Sequence, residues 1–369
     1  MDGRRRGGRL KFNANNRKKF LSAFRSVIAA VFGLFLGLCI TALAGENPWH
    51  VLKILTKSAF GSPYDLGMTL FYSTPLIFTG LAVSIPLQAG LFNVGAEGQL
   101  TMGALSAAAF GILFPHLTWP MAPLLGGVCA FLGGAIWGFI PGWLRAKRGS
   151  HEVINTIMLN FIAAGISSWV ILYLLKNPES QNPETQSIGS GYFLSHLSFF
   201  HDAPLSSAFL IALMISVAIA FFFSKTVLGY EIQAVGQNEN AAKEAGIDPS
   251  KIRILVMTLA GGVAGLVGLA EVLGNSGRFK IGFSPDYGFI GIAVALLVRG
   301  DPSGVIFSGL LFGALHKGTA DLDMETENVT RDLSYVLQAL VILSVVAEGF
   351  WDKIAQKITQ NMKGKSHHG

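Results

Sequence analysis

The chain has 369 residues, of which 51% are hydrophobic and 14% are charged. Soluble domains carry about 25% charged residues, so this composition does not fit a disordered chain, a nucleic-acid reader or an ordinary soluble enzyme. The formal net charge of +6 does not indicate nucleic-acid binding, because nine basic side chains lie within the first 25 residues. Two cysteines, Cys39 and Cys129, lie inside apolar runs and indicate neither a disulfide framework nor a metal site. We therefore predict an all-α, polytopic membrane protein.

Ten segments with little or no charge predict about ten transmembrane helices. A helix needs about 20 mostly apolar residues to cross the hydrocarbon core, and the eighth and ninth segments are short for this. The run from Gly98 to Leu144 is too long for one crossing and is divided at Pro115 and Pro120, so we predict two helices there. An odd number of helices in each half makes the halves run in opposite directions, which predicts two inverted five-helix halves. The segments are Ser26–Gly45, Leu66–Ala96, two within Gly98–Leu144, Val153–Leu175, Ala203–Ser224, Ile254–Ala270, Tyr287–Val298, Ser303–Leu315 and Leu333–Ala347.

Basic residues in short loops predict the orientation. Such loops stay on the cytoplasmic side, which places a basic segment at 1–25 and a tail at 350–369 in the cytoplasm, on either side of a transmembrane domain at 26–349. The first segment resembles a signal peptide ending at Ala44. Its uncharged run of 20 residues exceeds the roughly 7–15 apolar residues of a secretory signal, so we expect an uncleaved anchor.

Two polar links interrupt the apolar pattern at equivalent places in the two halves. Gly90–Gln99 and Ile281–Phe289 each contain glycine, phenylalanine, a small polar residue and a carboxylate, ahead of a glycine-rich helix. Interrupted helices in inverted repeats commonly lie near the substrate site, and both links are too polar to face lipid. We expect Asn93 and Asp286 to cap the helices that follow.

Polar and aromatic residues in and near these links are candidates for a translocation path. Glu97 lies between two long uncharged stretches, where an ionisable side chain faces a cavity, a partner or the bundle interior; it either satisfies backbone donors at a helix break or lines the path. Asn160 either joins two helices or faces a cavity. Glu271, near the end of its span, is expected to be in water. The path candidates are Phe92, Asn93, Glu97, Asn160, Phe283, Asp286 and Tyr287.

The longest inner loop between predicted spans contains a short helix with clear boundaries. Asn238 is a favourable N-cap, Gly246 favours the left-handed turn that ends a helix, and Asp248-Pro249 restarts the next one. A helix of about two turns with small exposed side chains can dock on a soluble partner, although an ordinary surface helix has the same caps. The small residues that this helix is expected to present are Ala241, Ala242 and Ala245.

Several of these segments resemble one protein family. Gly236–Ile247 resembles the coupling loop of permease subunits in ATP-binding-cassette (ABC) importers. Phe92–Gln99 resembles a signature of the branch that includes ribose, branched-chain amino acid and nucleoside permeases. His151–Asn160 and Phe283–Leu297 are most similar to the nucleoside group. The resemblance covers most of the chain, from about Leu66 to Glu348.

This resemblance implies a helical permease domain at 26–349 whose coupling loop, at 229–250, docks on a cytoplasmic ABC ATPase. It also implies a second homologous permease, an extracytoplasmic substrate-binding protein and a multi-pass position in the lipid bilayer of the bacterial cytoplasmic (inner) membrane. No nucleic-acid partner is expected. The residues that the resemblance assigns to ATPase coupling are Gly236, Asn238, Ala241, Ala242, Ala245 and Gly246.

The expected function is import of a small polar solute, with a nucleoside as the first expectation. The sequence lacks the phosphate-binding pattern Gly-x-x-x-x-Gly-Lys-Ser/Thr, so ATP hydrolysis is expected in a partner, and no catalytic residue, metal or cofactor is expected here. A sugar such as ribose is the alternative substrate. An ion-coupled secondary transporter is the alternative mechanism, in which Glu97 or Asp286 binds the proton or ion.

Overall fold

The computed structural model describes residues 28–200, 202–326, 329 and 331–347. Within these ranges the chain is helical, and β-structure is limited to three isolated bridges, which confirms the all-α prediction. The described residues form two compact units. One runs from Thr56 to Gly318, and the other contains the described residues up to Leu55 and from Thr319 onward.

The described chain contains fourteen α-helices, α1 to α14 in chain order. A π-helical segment, Leu269–Ser276, follows α10, and short 3₁₀ turns lie at Ser190–Tyr192, Ser198–Phe200 and Pro302–Gly304. The helices are α1 (Ile28–Leu43), α2 (Pro48–Phe60), α3 (Pro63–Leu87), α4 (Ala96–Leu113), α5 (Met121–Arg148), α6 (Glu152–Tyr173), α7 (Ala208–Lys225), α8 (Val227–Gln237), α9 (Glu239–Glu244), α10 (Pro249–Gly265), α11 (Tyr287–Leu297), α12 (Val305–Ala320), α13 (Leu322–Glu325) and α14 (Arg331–Val346).

Each of the ten predicted segments contains a helix. Five helical spans are long and apolar enough to cross a membrane, namely α3, α5, α6, α7 and the continuous span Pro249–Ser276. The helices Tyr287–Leu297 and Pro302–Ala320 meet this criterion only as a pair, and they bend by 109° at the break between them. The described residues therefore hold five such spans, or six with the bent pair. Ten crossings stay a prediction.

Local sequence signals explain where the long spans begin and end. Ser62 precedes α3, and its hydroxyl accepts a hydrogen bond from Asp65 N (3.1 Å). Pro63 occupies the first turn, where no amide hydrogen is needed. At the C-terminal end of α5, three basic residues lie in the last turn, and the helix stops before Gly149. Cations in the last turn interact favourably with the helix dipole. Such signals define the ends of helices whose middle is uniformly apolar.

Glycines bring α5 and α10 into backbone contact. A Cβ placed on Gly134 would lie 2.1 Å from the carbonyl oxygen of Gly261, and one placed on Gly261 would lie 2.3 Å from the carbonyl oxygen of Gly134. Gly138 and Gly265 meet the facing backbone at similarly short distances. Because no larger side chain fits, this glycine seam (Gly134, Gly138, Gly261 and Gly265) sets the distance between two of the longest spans.

The unit that contains α1 and α14 has its own apolar core. Inside this unit, Gln338 Nε2 donates a hydrogen bond to Thr319 Oγ1 (2.6 Å), which satisfies two buried polar groups. α2 contributes its apolar side to the core. The buried core residues are Val51, Ile54, Leu55, Leu322, Val329 and Leu337.

Candidate functional site

The inner loop that was predicted to dock on a partner contains two helices, α8 and α9. Asn238 Oδ1 accepts a hydrogen bond from Ala241 N (3.1 Å) at the start of α9, and Gly246, with a φ of +83°, follows its end. Asp248 Oδ1 accepts a hydrogen bond from Ser250 N (2.9 Å) at the start of α10. These contacts confirm the predicted caps, whereas α8 is an additional helix that the sequence pattern did not indicate.

The surface of α9 differs from the predicted surface at one position. Ala241 and Ala245 are exposed, but Ala242 is only 3% exposed, so it cannot be presented to a partner. Ala241 and Ala245 are four residues apart and share one face of the helix, whereas Ala242 is about 100° from Ala241 around the axis and packs against the protein. Asn240, Lys243 and Glu244 complete the exposed surface.

Glu239 connects α9 to the first turns of α10. Its carboxylate lies 3.1 Å from Lys243 Nζ and accepts a hydrogen bond from Arg253 Nη2. The hydrogen bond from Lys243 is the main cause that lowers the pKa of Glu239; burial opposes it, and the positive charges of Arg253 and Lys243 lower the pKa further. A carboxylate held by two cations orients α9 relative to the span that follows it.

Gly236 places the coupling loop against the end of α3. A Cβ at this position would lie 2.2 Å from the carbonyl oxygen of Gln88, so only glycine permits the approach. Gln88 Nε2 donates a hydrogen bond to Gly300 O (2.6 Å). The coupling loop therefore contacts the residues that lead directly into the polar link Gly90–Gln99.

The two polar links lie against each other at the starts of α4 and α11. Glu97 Oε2 accepts a hydrogen bond from Gly288 N (2.7 Å), and Ser284 Oγ accepts one from Tyr287 N (3.0 Å). Both donors belong to the first turn of α11, where backbone amides have no partner within the helix. Glu97 therefore satisfies a backbone donor at a helix break, which is the first of its two predicted roles.

Asp286 occupies the predicted N-cap position of α11, whereas the prediction that Asn93 caps α4 is wrong, because Gly95 is the N-cap residue there. Asp286 precedes α11, but its side chain makes no capping hydrogen bond; Glu97, from a distant part of the chain, accepts from the first turn instead. Asn93 is fully buried three residues before α4. Its amide donates to Ala82 O (3.1 Å) and exchanges hydrogen bonds with Gln99. Asn93 thereby holds the first link against α3.

A cavity of about 150 Å³ is bounded by α4, α6 and the segment that precedes α11. It contains a carboxylate, an amide, aromatic rings and hydroxyl groups in one lining. Of the predicted path residues, the cavity is lined by Glu97, Asn160 and Phe283 and not by Phe92, Asn93, Asp286 or Tyr287. The structure therefore brings three of the seven candidates together.

Four hydroxyl side chains of the lining, Thr101, Ser167, Ser168 and Ser284, were not among the candidates. Thr101 follows Glu97 by four residues, and Ser167 follows Asn160 by seven. Residues at these spacings share one face of a helix. Helical spacing from Glu97 and Asn160 was therefore the sequence signal that could have identified Thr101 and Ser167.

Asn160 has both of the roles that its sequence context left open. Its Oδ1 accepts a hydrogen bond from Gly98 N (2.8 Å), and its Nδ2 donates to Val94 O (2.9 Å). These bonds join α6 to the first polar link. The same side chain lines the cavity, so a movement of α6 changes the cavity wall and the link together.

A buried polar and aromatic cluster lies inside the bundle around Tyr287. Tyr287 is 2% exposed and Glu271 is 7% exposed, so the expectation that Glu271 is in water is wrong. Glu271 lies next to the Tyr287 hydroxyl and belongs to the π-helical segment Leu269–Ser276, a geometry that is frequent at functional positions. The His316 ring centroid is 6.3 Å from that of Tyr287 and 4.7 Å from that of Tyr72. Four separate helical segments supply these residues, so no local pattern could predict the cluster.

The fold and these two sites define the class of the protein. A cavity lined by carboxyl, amide and hydroxyl groups lies beside α4 and α6, and α6 is one of the five spans long enough to cross a bilayer. Polar groups at membrane depth normally face a cavity or a partner rather than lipid. A capped helix that is connected to the spans by an ion pair and close backbone contacts completes the arrangement. These are features of a membrane permease.

Comparison with known proteins gives the family. The model of the branched-chain amino acid transport system / permease component family matches residues 66–346, so the chain belongs to this family. It is 36% identical over 87% of its length to the nucleoside ABC transporter permease protein NupB of Lactococcus lactis subsp. cremoris (strain MG1363), covering 90% of that protein. These matches confirm the family predicted from the sequence and identify the chain as an ABC transporter permease subunit.

Two further relatives are named for different solutes. The chain is 33% identical over 87% of its length to the guanosine ABC transporter permease protein NupP of Bacillus subtilis (strain 168), covering 92% of that protein. It is 32% identical over 89% of its length to the glucose ABC transporter permease protein TsgB13 of Haloferax volcanii, covering 88% of that protein. The family is therefore common to nucleoside and sugar permeases.

Proposed function

We propose that this permease subunit imports a nucleoside through the cavity bounded by α4, α6 and the segment before α11. The lining of the cavity is the observation that carries the proposal, because it combines the Phe283 ring with a carboxylate, an amide and four hydroxyl groups. A flat base stacks on an aromatic ring, while its edge and the ribose hydroxyls need hydrogen-bonding partners. The names of NupB and NupP give the same class of solute for two relatives.

The small volume of the cavity supports a change of shape during transport, and the exposure of its wall supports a second permease subunit. Its volume of about 150 Å³ lies below the roughly 300–1,000 Å³ of ligand pockets. Thr101 and Ser168 of its wall are only half-buried, although hydroxyl groups at membrane depth are poorly suited to lipid. A second, homologous permease subunit covers the open side of α6, and the cavity widens when the helices around it tilt.

ATP hydrolysis by a separate cytoplasmic ABC ATPase drives that tilt. The ATPase docks on the exposed face of α9, which Ala241 and Ala245 keep flat, while Asn238 and Gly246 define the ends of the helix. Its movement passes to α10 through the Glu239–Arg253 ion pair and to α3 through the contact of Gly236 with Gln88. A ligand or partner shifts a conformational equilibrium only through contacts that differ between the two states, and these contacts supply them.

The remaining parts of the proposed transporter follow from the same assignment. An extracytoplasmic substrate-binding protein delivers the nucleoside at the opposite face of the membrane. The subunit lies in the bacterial cytoplasmic (inner) membrane with both termini in the cytoplasm, as the basic segment at 1–25 predicts. The segment at 26–349 is the permease domain, and 350–369 is the cytoplasmic tail.

The test is nucleoside uptake by proteoliposomes that contain the permease with its co-purified ATPase. Phe283→Ala is expected to lower ATP-dependent guanosine uptake at least about tenfold, because it removes an aromatic ring from the cavity wall. Phe92→Ala is the matched control, since Phe92 is half-buried and lies outside the lining. Equal uptake by the two variants, at equal assembly, contradicts the proposal.

The same vesicles separate the alternatives. Uptake of ribose or glucose without uptake of guanosine or adenosine establishes a sugar permease. Uptake that an ion gradient drives after the ATPase has been removed establishes a secondary transporter. The proposed function predicts neither result.

A further inference from the structure

Residues 277–284, named the strap, connect the span Pro249–Ser276 to α11. Five of these residues line the cavity, namely Phe279, Ile281, Gly282, Phe283 and Ser284. The preceding span has 28 residues and is about 40 Å long at 1.5 Å per residue. Because that span starts next to the coupling loop, the strap lies at the far end of the bundle from it.

The backbone of the strap is held by one other segment, residues 183–188. Thr185 N donates to Phe279 O (2.9 Å), and Ile281 N donates to Pro183 O (3.2 Å). Phe279 N in turn donates to Thr185 Oγ1 (3.0 Å). A short ladder of hydrogen bonds therefore fixes one edge of the strap, and the buried side chain of Phe279 anchors its middle.

A salt bridge joins the same two segments. Arg278 Nη1 lies 2.7 Å from Glu184 Oε1, and Glu184 is only 6% exposed. Burial raises the pKa of Glu184, but hydrogen bonds from Ser180 and Arg278 and the charges of Arg278 and Lys280 outweigh it, so that the pKa is lowered. The carboxylate is consequently ionised at neutral pH, and the pair is intact under ordinary conditions.

Two glycines of the strap have a backbone conformation that suits a hinge. Gly277 has a φ of 63° and Gly282 a φ of 70°, in the left-handed region that glycine enters without a steric penalty. Hinges are a few loop or element-terminal residues that absorb large changes of φ and ψ. Rotation at these two glycines moves Arg278 to Ile281 without unwinding the spans on either side.

We propose that the strap and residues 183–188 form the gate that closes the cavity on the side away from the coupling loop, and that the Glu184–Arg278 salt bridge latches it. This inference rests on the proposed function, because it takes the cavity as part of the transport path. The latch joins segments that are 94 residues apart in the chain, so the gate opens only when the 183–188 segment and the strap separate. Residues 176–204, which contain the 183–188 segment, are then the part of the chain through which a docked binding protein opens the gate.

A reversible cross-link tests the gate. Glu184 and Lys280 face each other in an antiparallel bridge, and the bonds Thr185 N to Phe279 O and Ile281 N to Pro183 O mark them as a non-hydrogen-bonded pair. Such pairs have Cα atoms about 4.5 Å apart, within the roughly 4.4–6.8 Å that a disulfide needs. The variant is E184C/K280C in a C39S/C129S background.

Oxidation of this variant, assembled with its ATPase, is expected to lower solute uptake at least tenfold, and a reductant is expected to restore it. Recovery on reduction shows that the cross-linked protein was folded. The single variants E184C and K280C, in the same background, should not respond to oxidation. Uptake by the cross-linked protein at the rate of its reduced form overturns the gate.

A second readout does not depend on which solute is carried. S168C, in the same background, places a thiol in the cavity wall, and a membrane-impermeant maleimide is added on the side away from the coupling loop. R278A is expected to raise the labelling rate of S168C severalfold over R278K, because it removes the latch. Equal labelling of the two variants overturns the gate. If R278A raises labelling while the unaltered protein carries no nucleoside, the gate stands and the proposed substrate is wrong.

Discussion

The coupling loop and the cavity are built in different ways. In the coupling loop the Asn238 and Asp248 caps each join residues two or three apart, and the hydrogen bond between Glu239 and Arg253 spans 14 residues. At the cavity and its edge the hydrogen bonds join distant residues: Glu97 to Gly288 spans 191 residues, and Asn160 to Val94 spans 66. The first region can keep its shape while it moves, whereas the second must change shape whenever its helices move.

This difference suits the two proposed roles. In the proposed mechanism, a docking helix that deformed would absorb the movement that it transmits. A cavity that exposes its solute to one side and then the other needs walls from elements that separate. Substitutions in the two regions should therefore differ in kind, with losses of stability and shape at the cavity and losses of coupling at the loop.

The largest effect is expected for Glu97→Ala. The change leaves Gly288 N without its acceptor in a buried place, which costs about 1–3 kcal/mol, and the apparent melting temperature of the purified protein should fall. Glu97→Gln retains an acceptor oxygen and should recover most of this loss. Asp286→Asn is the matched control, because the Asp286 side chain makes no capping bond. A melting temperature for Glu97→Ala equal to that of the control contradicts the role of Glu97 at the helix break.

A smaller effect, on coupling, is expected for Gly236→Ala. The new Cβ would lie 2.2 Å from Gln88 O, so the coupling loop must move away from α3. Solute uptake per ATP hydrolysed should then fall severalfold while the ATPase stays bound. Gly165→Ala is the control, because a Cβ there has no neighbour within 4 Å. Unchanged uptake per ATP in Gly236→Ala would show that this contact does not transmit movement.

The smallest effect is a pH dependence at Glu239. Because the pKa of this carboxyl is lowered in the folded protein, chiefly by the hydrogen bond from Lys243, its stabilising effect is present above the ordinary glutamate pKa. That effect is lost as the pH falls through the lowered value. Partly exposed ion pairs contribute only about 0–1 kcal/mol, so the change is modest.

Hydrogen exchange of residues 239–245, measured for the unaltered protein and for Glu239→Gln at the same pH, isolates this contribution. The ratio of their protection factors should approach one at low pH. A ratio that is constant from neutral to acidic pH rules out the ion pair as a support of α9.

The same contrast explains how much of the molecule the sequence predicts. Membrane helices follow from long runs without charge, and the ends of α9 follow from Asn238 and Gly246, because a cap acts within one turn. Asn93 does not cap α4, and Asp286 stands at the N-cap of α11 without a capping bond; an acceptor for the first turn comes instead from Glu97 in another helix. No local pattern records that contact.

Burial also depends on neighbours that local pattern does not specify. Ala242 was expected on a docking surface and Glu271 in water, but both are buried. The position of Glu271 near the end of an apolar run indicated the edge of a membrane span. Packing of the π-helical segment Leu269–Ser276 inside the bundle decides otherwise.

The glycine seam between α5 and α10 has a mechanical consequence. With the carbonyl of Gly261 only 2.1 Å from where a Cβ of Gly134 would stand, sliding one helix along the other by a single residue, about 1.5 Å, forces a larger residue against bare backbone. The two spans must therefore translate as a single body. In the proposed mechanism, a push delivered just before Asp248 would displace both of them together.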